Sequence, residues 1–92
     1  MREKCISSGI LEGSEQVFST SGYLVGAVLV GGSIDSKAIL YDSGDDDLSD
    51  KREIGFVSDK VPEFNKVVHA NEGIYAELID GAEIIVFFTG VF

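Results

Sequence analysis

The chain has 92 residues, 45% of them hydrophobic, with 16 acidic against 7 basic side chains and a formal charge of −9. That length makes one domain around one thin core, and the hydrophobic fraction excludes a disordered chain. The acidic balance argues against a nucleic-acid or anionic-membrane partner, both of which require clustered Lys and Arg; it fits plain solubility or a basic protein partner.

Residues 1–21 read as an arm. Ser7-Ser8-Gly9, Gly13-Ser14 and Ser19-Thr20-Ser21-Gly22 punctuate it, and two short apolar pieces, Ile10-Leu11 and Val17-Phe18, lie between. Such a segment cannot build a core alone. It either adds an edge strand to the domain or docks on something else. The charged start leads into Ser7-Ser8-Gly9 and not into an apolar stretch, so no secretory leader is expected there.

Tyr23 to Val30 is predicted as a strand with apolar residues on both faces, which suits a central strand covered on both sides. Gly26 in its middle suggests a bulge or a close approach by another element. This run is far too short to span a bilayer as a helix. Lys37 to Tyr41 is a second strand. The stretch Asp42 to Asp50 holds five aspartates and reads as a solvated or partner-neutralised loop, with room for one short turn before Lys51-Arg52. Glu53 to Ser58 and Asn65 to Ala70 are two further strands, with Pro62 bordering one of them. Ile74 to Ile79 and Glu83 to Phe88 flank Asp80-Gly81, a favoured pair for a two-residue turn with positive φ at both positions. The expectation is a terminal β-hairpin. No window sustains a helical apolar period. The sum is a small all-β domain, an antiparallel β-sandwich or partly closed barrel over residues 22–92 with the extended N-terminal arm 1–21.

Chemistry is sparsely marked. The lone Cys5 excludes an intrachain disulfide and a Cys-rich zinc site. His69 is the only imidazole, and a single Cys5–His69 pair is no signal of a nucleophile and its base. On the calcium-loop pattern, Asp45, Asp47 and Ser49 fit positions 1, 3 and 5, but Asp50 stands where the turn glycine belongs and Phe56 where the bidentate glutamate belongs. That excludes an EF-hand and leaves only a looser site from Asp42, Asp45 and Asp47. No metal, no cofactor and no catalytic residue is expected.

The aromatics Tyr23, Tyr41, Tyr75, Phe56, Phe64, Phe87, Phe88 and Phe92 fall mostly in the expected strands, with core packing their default. Phe87 and Phe88 are neighbours in one strand, so they point to opposite faces. One of them must be covered by the arm or by another chain. Tyr23 to Val30 makes the same demand. The domain therefore carries more apolar faces than one core can take, which points to self-association or permanent docking.

Three blocks carry a family resemblance: Ala38-Ile39-Leu40-Tyr41-Asp42, then Asn71-Glu72-Gly73-Ile74-Tyr75-Ala76-Glu77-Leu78, then Gly81-Ala82-Glu83-Ile84-Ile85-Val86-Phe87-Phe88. Together, over roughly residues 22–90, the chain resembles the small β-sandwich decoration (cement, head-stabilising) proteins of tailed bacteriophage capsids. Its acidic stretch Asp42–Asp50 is longer and more charged than that pattern. The resemblance implies a virion structural protein, made in the host cytoplasm. It would sit on the capsid surface as a homotrimer or other homo-oligomer and bridge neighbouring major capsid protein subunits without enzymatic activity. The contact residues expected are Ile6, Ile10, Leu11, Val17 and Phe18, chosen by their place in the arm and not by any motif. Other readings are a tail, neck or fibre-base component of a phage, and a small module binding carbohydrate or calcium, which would predict exposed aromatics on a flat sheet face, whereas Trp is absent. An enzyme comes last.

Overall fold

The computed structural model describes residues 5–90. Residues 1–4, the start of the expected arm, and Phe92, one of the expected core aromatics, lie outside them. The described residues form nine strands and no helix: β1 Ile6–Leu11, β2 Glu15–Phe18, β3 Gly22–Gly31, β4 Lys37–Asp42, β5 Arg52–Ser58, β6 Glu63–Phe64, β7 Val68–Ala70, β8 Ile74–Ile79 and β9 Glu83–Gly90. One sheet runs β1-β9-β3-β6, with β7 also paired to β3, and the other runs β2-β8-β4-β5. Every pairing is antiparallel. The two sheets pack as a small β-sandwich. With β6 and β7 taken as one broken strand along β3, there are eight strands in two four-stranded sheets. Nearly every connection crosses from one sheet to the other, and only β4 turns back directly into its neighbour, β5. This is the double-sheet jelly-roll arrangement.

The core lies between the sheets and is mainly aliphatic. Leu24, Ile84 and Val86 from the first sheet meet Leu40, Val57 and Ile74 from the second, all fully buried. Alternation along each strand delivers them: Ile74 and Ala76 point inward from β8, and Ile84, Val86 and Phe88 from β9.

The last two strands depart from the hairpin expectation. Asp80 and Gly81 do take positive φ, 57° and 75°, as the turn chemistry requires. Yet β8 pairs with β2 and β4, whereas β9 pairs with β1 and β3. The turn is an arch between sheets. Turn residues specify a reversal of the chain, but not whether the flanking strands share a hydrogen-bond ladder. Here each strand finds two other ladder partners, and their apolar faces meet across the core. A buried serine stabilises the arch. The Ser36 hydroxyl donates to the Asp80 carbonyl at 2.5 Å and accepts from the Ser33 amide at 2.8 Å. It thereby ties the β3–β4 connection to the β8–β9 connection.

Gly26 combines both expected roles. The β3–β9 register shifts between Leu24 and Gly26, and a Cβ at Gly26 would lie 2.7 Å from the Phe64 carbonyl oxygen. The expected strand Asn65–Ala70 is instead two short pieces, β6 and β7, both on β3. Pro62 borders β6, and its carbonyl accepts from the Leu29 amide at 2.7 Å.

Ser36→Ala removes the side-chain partner of the Asp80 carbonyl and the Ser33 amide, two part-buried hydrogen bonds. The expected loss is about 0.5–1.5 kcal/mol of unfolding free energy, read from the urea midpoint at constant slope.

Candidate interaction surface

The arm takes the edge-strand alternative, and it does so twice. β1 extends the first sheet beside β9, with Ile6 opposite Phe88, Ser7 opposite Phe87, Ile10 opposite Ile85 and Leu11 opposite Ile84. β2 extends the second sheet beside β8. Three of the five expected contact residues are thereby used within the fold. Leu11 shares the inward face with Ile84 and is only 4% exposed, so it is core and not contact surface. Val17 and Phe18 pack against the core, and the Phe18 ring lies 5.3 Å from that of Phe88. Ile10 and Ile6 stay at the surface, 62% and 39% exposed. Sequence reasoning could not separate these two groups, because the register of β1 and β2 depends on strands some sixty or more residues away.

The outer face of the first sheet is apolar. Ile10, Ile85 and Val28 form one row across β1, β9 and β3, and Ser7, Phe87 and Gly26 form the next. Tyr23, opposite Thr89 and His69, begins the face at one end. Carboxylates come in at the other end, with Glu83 opposite Gly31, and at the β6 edge, where Glu63 follows Val28 in the first row. Phe88 is buried and Phe87 faces outward, as adjacent strand positions demand. β1 lengthens this sheet at its edge and does not lie across its outer side.

The outer face of the second sheet is different. Ile39 stands opposite Phe56 on one side and Glu77 on the other. Tyr41 stands opposite Glu53 and Tyr75. Phe56, expected in the core, is 40% exposed, because Ile54 and Val57 take the inward positions of β5. Tyr41 and Tyr75 are half-buried with this outward orientation. The Tyr41 hydroxyl reaches Glu77 Oε1 at 3.5 Å. Partial burial, followed by the negative charges of Glu77 and Glu53, raises the Tyr41 pKa above its ordinary value. The two carboxylates thus act on a common point. Period-two alternation contained this face, but it emerges only when β5, β4 and β8 are known to be neighbours.

The acidic loop is organised from within. Asp42 ends β4 and is buried. Its Oδ1 accepts the Glu72 amide at 2.8 Å, and its Oδ2 accepts the Asn71 amide at 3.0 Å and Arg52 Nη2 at 3.3 Å. Burial pushes its pKa up, but the Glu72 and Asn71 amides, Arg52 and the Gly73 amide outweigh it and hold the carboxyl below its ordinary value. Asp45 Oδ1 accepts the Asp47 amide and Asp47 Oδ1 accepts the Ser49 amide, so these carboxylates cap their own loop. The looser calcium grouping of Asp42, Asp45 and Asp47 is not assembled: among the described residues no three His, Cys, Asp or Glu side chains are placed to hold a metal. Gln16 Nε2 lies within hydrogen-bond range of the Phe18, Ser43 and Ile74 carbonyls and joins β2 to this end. His69 Nε2 lies 3.2 Å from Ser21 Oγ, and its ring stands 4.9 Å from that of Tyr23. Cys5 is exposed.

No protein-family model matches the chain, and none of the curated proteins matches it.

Asp42→Asn replaces an acceptor of two amides with a group that meets one of them donor to donor. A loss of about 1.5–3 kcal/mol at neutral pH is expected. The folded pKa lies below the ordinary 3.8, so the wild-type advantage is complete above that value and is lost as pH falls through the folded pKa. Paired urea titrations of both proteins from neutral to acid pH measure this convergence.

Proposed function

We propose that this chain is a non-enzymatic bacteriophage virion protein, a capsid decoration protein that binds the outer shell as a homo-oligomer and bridges major capsid protein subunits. The observation that carries the reading is the apolar outer face of β1, β9 and β3. A contiguous apolar patch of a few hundred Å² is about the largest that a monomer exposes, and such patches are often functional. Three strands at about 4.8 Å and eight residues at about 3.3 Å span on the order of 400 Å². That is a substantial part of the roughly 800 Å² that each side contributes to a specific interface.

Charge supports a second copy as the occupant of this face. Two chains of charge −9 repel wherever their carboxylates meet. Within β1, β9 and β3 the rows Ile10–Ile85–Val28 and Ser7–Phe87–Gly26 carry no charge, and Glu63 follows only on β6, so here two copies approach at least cost. The jelly-roll is compatible, since viral capsid domains use it, although lectin and cupin domains do as well. A small sandwich stiffened by edge strands on both sheets suits a clamp whose binding favours the assembled shell by mass action.

The purified chain is expected to sediment as an oligomer. Phe87→Glu, which places a charge in the middle of the face, is expected to sediment as a monomer with an unchanged circular dichroism spectrum, losing at least about 2 kcal/mol of association energy. An antibody to the chain is expected to label the shell of phage particles. A wild-type monomer, unaltered association of Phe87→Glu, or labelling of the tail or neck would overturn the reading.

A further inference from the structure

The outer face of β4, β5 and β8 has a chemistry that self-association through the other sheet does not use. Its central positions alternate aromatic or aliphatic groups with carboxylates. Tyr41 lies at the middle, with Glu53 opposite it on β5 and Tyr75 opposite it on β8. Glu77 leans toward the Tyr41 hydroxyl from the next row, where Ile39 and Phe56 continue the apolar floor. Among the described residues the ion pairs are Lys51–Glu72 and Arg52–Asp42, both at the acidic-loop end. Among these residues, Glu53 and Glu77 therefore have no basic side chain within ion-pair distance. Lys37 shares the face, but it stands opposite Ser58 and Ile79 and makes no ion pair.

We propose that this face docks a polypeptide segment carrying arginine or lysine. A cation placed between Glu53 and Glu77 lies over the tyrosine rings. Carboxylate pairing and the negative ring face then act on it together. Arginine suits the site better than lysine, because its planar guanidinium stacks on an aromatic ring while its edge donates to a carboxylate. The apolar stem of either side chain rests on Ile39 and Phe56. The net charge of −9 draws such a partner in from a distance. Neutral sugars also stack on tyrosines. They do not need two carboxylates without cationic partners, and the charge favours the basic segment.

The test uses the full chain and an extended peptide of alternating arginine and alanine, with its glutamate–alanine counterpart and neutral glucan and chitin oligosaccharides as comparisons. Isothermal titration is expected to show binding of the arginine peptide alone, weakening steeply as salt is raised from about 0.05 to 0.5 M. The double variant Glu53→Gln/Glu77→Gln is expected to bind at least about tenfold more weakly, the equivalent of about 1.4 kcal/mol. Glu12→Gln/Asp46→Asn removes the same charge from exposed sites elsewhere and is expected to bind within about twofold of wild type. Thermal melts establish that both variants are folded. Absence of peptide binding, equal weakening by the two double variants, or binding of a neutral oligosaccharide in place of the peptide would overturn the proposal. Peptide binding needs no shell and no oligomer, so its failure leaves self-association through the first sheet to be judged separately by sedimentation.

Discussion

Neighbouring residues of a strand face opposite ways, and in β9 both ways are apolar. Ile84, Val86 and Phe88 enter the space between the sheets, while Ile85 and Phe87 stand on the far side of their own sheet. The strand is also flanked on both edges, by β1 and β3. It could not serve as half of an isolated hairpin without leaving one of these surfaces or edges open. Placing β8 in the opposite sheet resolves the conflict. The inward residues of β8 and β9 then cover each other across the core, and the edges of β9 are free for two other partners. Apart from the β4–β5 reversal and the broken strand β6–β7, the remaining strands follow the same plan of arches, which is why so short a chain closes a two-layer core.

The N-terminal segment has a different part from that of a tether. It contributes one strand to the edge of each sheet and commits Leu11, Val17 and Phe18 to packing. Of the five expected contact residues, Ile10 adds to the outer apolar row. The arm thus widens the candidate surface instead of reaching away from it. The two outer faces are consequently distinct in chemistry. One presents mainly apolar rows across β1, β9 and β3. The other sets carboxylates among tyrosines.

The acidic loop illustrates how a charge run can be internal carpentry. Asp42 is withdrawn beneath the 71–73 connection, and its two oxygens accept backbone amides there. Asp45 and Asp47 turn back on their own backbone. The cost of confining like charges is offset by donors from the 71–73 connection and from the loop itself, with Arg52 and Lys51 at its far end.

Local signals determined the all-β class, the positions of β3, β4, β5, β8 and β9, and the positive φ at Asp80 and Gly81. They also determined that Phe87 and Phe88 part to opposite faces, since alternation and turn stereochemistry act over a few residues. Tertiary structure alone decided that the Asp80-Gly81 turn is an arch, that the arm splits between two sheets, and that Asp42 serves the 71–73 connection. It also brought Glu53, Tyr41 and Glu77 together from three strands. Each of those outcomes depends on which distant strands share a ladder, and that choice is made by the summed packing of the whole core. No stretch of a few residues carries it.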